Sequence, residues 1–138
     1  MDKYLSCEFT VPGIPVGKGR PRVTMHGTYT PKKTKEYEQR VRDCWRTQSG
    51  AHFDEGQAIR AEINAWFPIP KSTPKKRAAC MDGTFHLKKP DSDNIAKAIL
   101  DSLNGLAYPD DSAVQLGPVD KRYTNGAPRV EVKIHVIE

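Results

Sequence analysis

The sequence predicts an α+β fold: a single domain over residues 1–138 in which a mixed β-sheet is packed by two to three helices. Three observations carry that expectation. Apolar and polar residues alternate near the N-terminus and again over 59–67, the period of two that gives a strand one buried face. Between 94 and 104 apolar residues recur at helical spacing instead. The resulting order, strand, helix, strand, short helix, helix, strand, strand, mixes the two kinds of element and suits a mixed sheet.

The first strand is expected at about 4–11, where Leu5, Cys7, Phe9 and Val11 alternate with Tyr4, Ser6, Glu8 and Thr10. Residues 12–33 are rich in proline, glycine and basic side chains without periodicity, and read as a long loop or arm. Thr34 is placed to cap a helix whose inner face is Tyr37, Val41, Cys44/Trp45 and Gln48 and which ends near Gly50. Ile59, Ala61, Ile63, Ala65 and Phe67 give a second strand, stopped by Pro68-Ile69-Pro70. Thr73-Pro74 resembles an N-cap followed by proline in the first turn, so a short helix is expected to about Met81, with Gly83 after it. Ile95, Ile99, Leu100 and Leu103 define a helix from Asn94 to Asn104, closed by Gly105. Two more strands are expected at Val114–Tyr123 and Val130–Ile137, joined through Asn125-Gly126, with Pro118 and Pro128 marking a bulge or edge positions.

Composition narrows the function. A chain of 138 residues with 37% hydrophobic and 28% charged residues holds one core. No apolar run approaches the roughly 18 residues of a membrane span, and a cytoplasmic location is expected. Cys7, Cys44 and Cys80 are far apart and form neither an even disulfide set nor a zinc-binding pair, and the four histidines are equally scattered. The net charge of +5 is unevenly spread: residues 1–90 carry 17 Lys/Arg against 9 Asp/Glu, residues 91–138 carry 5 against 8. A basic surface attracts polyanions. A local excess of carboxylates would repel the same partner unless a divalent cation sits among them, which hints at a metal-dependent nuclease.

Five aspartates fall between Asp91 and Asp111. If Asp91-Ser92-Asp93 stays extended after Pro90, the two carboxylates share one face and converge on one ion. The return turn Tyr108-Pro109-Asp110-Asp111 is then placed to bring Asp111 back toward them. Mg²⁺ takes oxygen ligands, only a few of them carboxylates. Hydrolysis of a phosphodiester needs a metal and a further cation for the developing charge, and Lys97 is the candidate for the second role. Each residue taken singly also has a structural explanation. Asp93 or Asn94 suits a helix N-cap, Lys97 is spaced for ion pairs with Asp93 and Asp101, and Asp110-Asp111 suits a turn.

The run Lys89-Pro90-Asp91-Ser92-Asp93-Asn94-Ile95-Ala96-Lys97, then Asp101-Ser102-Leu103-Asn104-Gly105, Tyr108 and Asp110-Asp111-Ser112-Ala113-Val114, resembles the signature of RusA-type crossover junction endodeoxyribonucleases. The best-matched stretch is 88–114; Gly17-Lys18-Gly19-Arg20-Pro21-Arg22-Val23 and Thr30-Pro31-Lys32 are also similar to many members. The resemblance implies a RusA-like fold, with Asp91, Asp93, Lys97 and Asp111 as the catalytic set and the three aspartates as metal ligands. It also implies Mg²⁺ dependence, a homodimer, and paired nicks across a four-way (Holliday) junction in recombination, repair or phage DNA processing. Ala113 departs from the pattern, since members often carry glutamine there.

Lys18, Arg20, Arg22, Lys32, Lys33 and Lys89 are the candidate DNA contacts, a cationic stretch able to follow phosphates. Gly17-Lys18-Gly19 lacks P-loop spacing, so no nucleotide cofactor is implied. Two alternatives share these features: a nuclease for flaps or forks, and a non-catalytic basic DNA-binding protein whose acids cap helices.

Overall fold

The structure, a computed structural model, describes residues 5–137, and of Arg22 only the backbone. Strand β1 (Ser6–Pro12) is followed by two three-residue strands, β2 (Arg22–Thr24) and β3 (Gly27–Tyr29), then helix α1 (Lys32–Gln48) and strand β4 (Ile59–Pro68). Helices α2 (Lys75–Met81) and α3 (Ser92–Ser102) come next, then a 3₁₀ turn at Asp111–Ala113 and strands β5 (Val114–Thr124) and β6 (Arg129–Val136). The predicted α+β class and mixed sheet are found. Tyr4, at the start of the expected first strand, lies outside the described residues.

Four strands form one sheet in the order β1-β6-β4-β5, antiparallel except for the parallel pair β4 and β5. The alternation read from the sequence is what makes this sheet one-sided. Phe9, Val11, Ile59, Ala61, Ile63, Ala65, Phe67, Val130, Val132 and Ile134 are buried, while Glu8, Thr10, Glu62, Asn64, Glu131 and Lys133 border a shallow depression on the other face. Helices α1 and α3 pack together, α1 against β1 and α3 against β5. They contribute Tyr37, Val41, Trp45, Ile95, Ile99 and Leu103 to the core. Trp45 is fully buried edge-on to Phe9, 5.3 Å between ring centroids. Truncating a tryptophan so packed costs about 3–5 kcal/mol. Trp66, by contrast, is only half-buried.

Four expectations are corrected. The last two strands do not form a hairpin, because β4 is inserted between them and pairs with both. Helix α1 begins at Lys32, so Thr34 lies inside it and is buried, and its hydroxyl serves the arm rather than the helix end. The segment 12–33 is not wholly loop: β2 and β3 make a short hairpin that turns through Met25-His26 into Gly27, whose φ is +114°. Finally, α3 begins at Ser92 rather than Asn94. The bulge expected at Pro118 is present, since Leu116 pairs with Ala61 and Val119 with Ile63, leaving Gly117 and Pro118 opposite Glu62. A Cβ on Gly117 would stand 3.1 Å from the Ala61 carbonyl oxygen, which accounts for a glycine in this strand.

Candidate metal centre and nucleic-acid cleft

The arm reaches the start of α3 because its glycines let it approach closely. A Cβ on Gly17 would lie 2.7 Å from Pro90 Cβ, and one on Gly19 2.5 Å from Thr34 Oγ1. In that fit the Lys18 N–H donates to the Asn94 carbonyl (2.9 Å) and the Gly19 N–H to Thr34 Oγ1 (3.1 Å). The Lys18 ammonium lies between the two helices, 2.5 Å from Glu38 on α1 and 3.3 Å from Asp101 on α3. Burial works against its charge, but the two carboxylates outweigh burial and hold its pKa above the ordinary lysine value.

Asp91 is the N-cap residue of α3, in an extended conformation, and its carboxylate makes no cap hydrogen bond. Asp93 sits in the first helical turn, where its Oδ1 accepts only the neighbouring Asn94 N–H at 3.1 Å. The segment 91–93 is thus not a continuous extended stretch. The cap position belongs to Asp91, and Asp93 is held two residues inside it, where the helix dipole favours a carboxylate. Both side chains are exposed, and among the described residues neither has a cationic partner. The chain entering Asp91 is fixed by Lys121 on β5, whose ammonium donates to the carbonyls of Lys88 (2.7 Å) and Pro90 (2.8 Å).

One turn after Asp93, the exposed Lys97 has its ammonium 3.4 Å from Asp101 Oδ2, the same oxygen that Lys18 approaches. Past the end of α3 the chain turns back around buried Tyr108, whose hydroxyl donates to the Leu100 carbonyl at 2.7 Å. Asp111 is held there by Asn104, which accepts the Asp111 N–H at 2.8 Å and donates its own amide to Asp111 Oδ2 at 3.4 Å. Burial, then a hydrogen bond shared with Asp101, raises the Asp111 carboxyl above the usual range; Asn104 opposes this, and the charges of Asp101 and Asp110 add to it. The return turn therefore brings Asp111 to Asp101 in the later part of α3. Among the described residues no three His, Cys, Asp or Glu side chains stand together as one ion site. The aspartates form two groups, Asp91 with Asp93 at the helix start and Asp101 with Asp111 further along, and Lys97 lies between them.

An open cleft of about 980 Å³ runs between the arm, the start of α1 and the entry to α3. Lys18, Arg20, Lys33 and Lys89 line it, and among the described residues Asp91 is the one carboxylate of its lining. Lys32 lies outside it, 3.7 Å from Glu36 on the surface of α1. The side chain of Arg22 is not among those described. Sequence reasoning missed Lys121, which no local signal marks, and the parts played by Asp101 and Asn104, which stand in the quoted motif without an assigned role.

The donor chemistry fits a hard divalent cation: every candidate ligand is a carboxylate oxygen, two are committed to no cation, and a third is crowded against another acid. A family model described as "Endodeoxyribonuclease RusA" matches residues 12–135. "Uncharacterized protein YqaN" of Bacillus subtilis (strain 168) is 34% identical over 138 residues, spanning 94% of this chain and 96% of that protein. With the aspartate-bearing helix, the returning Asp111 and the cationic cleft all inside the matched region, the chain belongs to the RusA family of metal-dependent endodeoxyribonucleases, enzymes of Holliday-junction resolution in DNA recombination and repair.

Proposed function

We propose that this chain, acting as one domain over residues 1–138, nicks four-way DNA junctions with Mg²⁺ taken by the uncommitted pair Asp91 and Asp93 and with Asp111, which stands apart from them beside Asp101, as the third ligand of the set. The observation that carries the proposal is the position of Asp91: an uncommitted carboxylate at the wall of a cleft otherwise lined by cations. Phosphates drawn in by Arg20, Lys33 and Lys89 come to lie beside the acids. When bound, the cation supplies a more acidic water and a polarised phosphoryl oxygen. Lys97, 60% exposed at its side chain and leaning on Asp101, is the residue we assign to charge developing on the phosphate. Asp101 and Asn104 position Lys97 and Asp111. Lys18, engaged by Glu38 and Asp101, anchors the arm and leaves phosphate contact to its exposed neighbours.

The active unit we propose is a homodimer, because two nicks in symmetry-related strands call for two sites and each chain carries one. A cytoplasmic location fits three free thiols, and no helix among the described residues is long and apolar enough to cross a membrane. The test is incubation with labelled four-way junction, flap and linear duplex, each with Mg²⁺ or with chelator. Paired nicks in the junction, only with Mg²⁺, are expected. Preferential cutting of the flap would transfer the site to another branched substrate, and uniform cutting of linear duplex would overturn branch selectivity.

A further inference from the structure

A second cavity, of about 530 Å³, borders the segment that leads into Asp91, and its lining includes Arg77, Met81, Phe85, Leu87, Lys88 and Tyr123. We infer that this cavity receives a single unstacked nucleobase of the branched DNA, stacked on Phe85, next to the strand whose phosphate is cut. The inference rests on the junction-nicking reading above.

Phe85 and Leu87 are 55% and 88% exposed, an unusual state for two large apolar side chains so close in sequence. The Arg122 guanidinium lies 4.2 Å from the centroid of the Phe85 ring. It covers one ring face and supports the aromatic as a flat platform. The segment bearing Phe85 is held to β5 throughout. Gly83 N–H donates to the Tyr123 carbonyl (2.8 Å), Tyr123 N–H to the Thr84 carbonyl (2.8 Å) and His86 N–H to the Lys121 carbonyl (2.9 Å). Beneath Phe85, buried His86 stacks on Phe67, 3.9 Å between centroids. An exposed aromatic on so firmly tied a backbone is preorganised for a ligand that brings its own flat face.

Charge selects the kind of ligand. Arg77 and Lys88 are the charged residues of the lining, and among the described residues no carboxylate joins them. Lys71, Lys75 and Lys76 stand exposed on and just before α2, a helix with no buried residue of its own. An apolar, aromatic floor with a cationic rim matches a base joined to phosphates, and the volume lies in the range of single-ligand sites. Lys88 is three residues from Asp91, at most about 10 Å of extended chain, so a base held here belongs to a nucleotide near the proposed scissile phosphate. Bases at a branch point are the ones already poorly stacked and the least costly to turn out. The pocket thereby gives the enzyme a way to sense branching that a metal site alone lacks.

The experiment places 2-aminopurine at successive positions around the branch of a four-way junction and follows its fluorescence on binding without divalent metal, so that no cleavage is needed. For the wild type, a change at one or two positions beside the branch is expected, with none in linear duplex. Phe85→Ala should abolish that change and weaken junction binding about tenfold or more while leaving duplex binding unaltered, and Phe85→Trp should restore both. Being exposed, Phe85 can be replaced without unfolding the protein, which circular dichroism would verify. A fluorescence change that persists in Phe85→Ala would overturn the inference. So would a Phe85→Ala, Leu87→Ala variant that keeps the signal but halves the particle mass in solution, because the face would then belong to a second copy of the chain. A wild type that shows the signal but never nicks would instead remove the nuclease reading and leave the base pocket standing.

Discussion

The Lys18 ammonium and Asp101 Oδ2 stand 3.3 Å apart, joining the N-terminal arm to the C-terminal end of α3. Because Lys97 approaches the same oxygen at 3.4 Å, two lysines share one carboxylate, and Glu38 completes the coordination of Lys18 from α1. Lys18→Met leaves Glu38 and Asp101, both largely buried, without this partner. It should destabilise the protein by about 1–3 kcal/mol, the cost of an unsatisfied buried group, measured by urea unfolding. The same variant should keep the wild-type salt dependence of DNA binding. A lowered slope would make Lys18 a phosphate contact.

Arg20 and Lys33 are exposed on the cleft and should behave in the opposite way. Arg20→Ala and Lys33→Ala should leave unfolding unchanged. Each should reduce the slope of log Kd against log salt by about 0.9, the counterions released per phosphate contact. Anisotropy titrations across a range of KCl would measure it; an unchanged slope in both would place the DNA elsewhere.

Much of this was readable from local pattern. Phe9 and Val11, or Ile59 through Phe67, alternate because one face is buried, and the register of three strands follows from that face. The partner of each strand was not readable: Asn125-Gly126 is an apt hairpin turn, yet β4 separates the strands it joins, a choice made by long-range packing. The β2–β3 hairpin carried no signal, since its described side chains are all exposed and neither face needs apolar residues. In the site, the acidic residues announced themselves by type and spacing. Their arrangement did not: Asp91 rather than Asp93 takes the cap, and Asp111 meets Asp101, because Asn104 and the buried Tyr108 direct the return turn.

Burial first, then the charges of Lys121 and Lys88, lowers the pKa of His86. Its ring lies between Phe67 and Tyr123, surroundings that disfavour the imidazolium. With the folded pKa below the unfolded value of about 6.5, the unfolded chain binds more protons as pH falls through that value. The His86 contribution to stability is therefore present above about pH 6.5 and is lost below it. His86→Phe should flatten the fall in unfolding free energy between pH 7 and pH 5. An equal fall in both proteins would assign it to other groups.

The subunit arrangement is tested by light scattering with and without junction DNA. A protein mass of twice 15.5 kDa is expected in the complex. A single chain per junction, making single nicks, would contradict the homodimer.

Asp91 and Asp93, as proposed, hold the metal and make no indispensable contact to DNA. The most direct measurement is junction cleavage and junction binding, side by side, for Asp91→Asn and Asp93→Asn in Mg²⁺. Removing one metal ligand from so small a set should lower cleavage by at least about a thousandfold in each variant while junction affinity stays within a few fold of wild type. Mg²⁺-dependent cleavage retained by both variants would contradict the assignment.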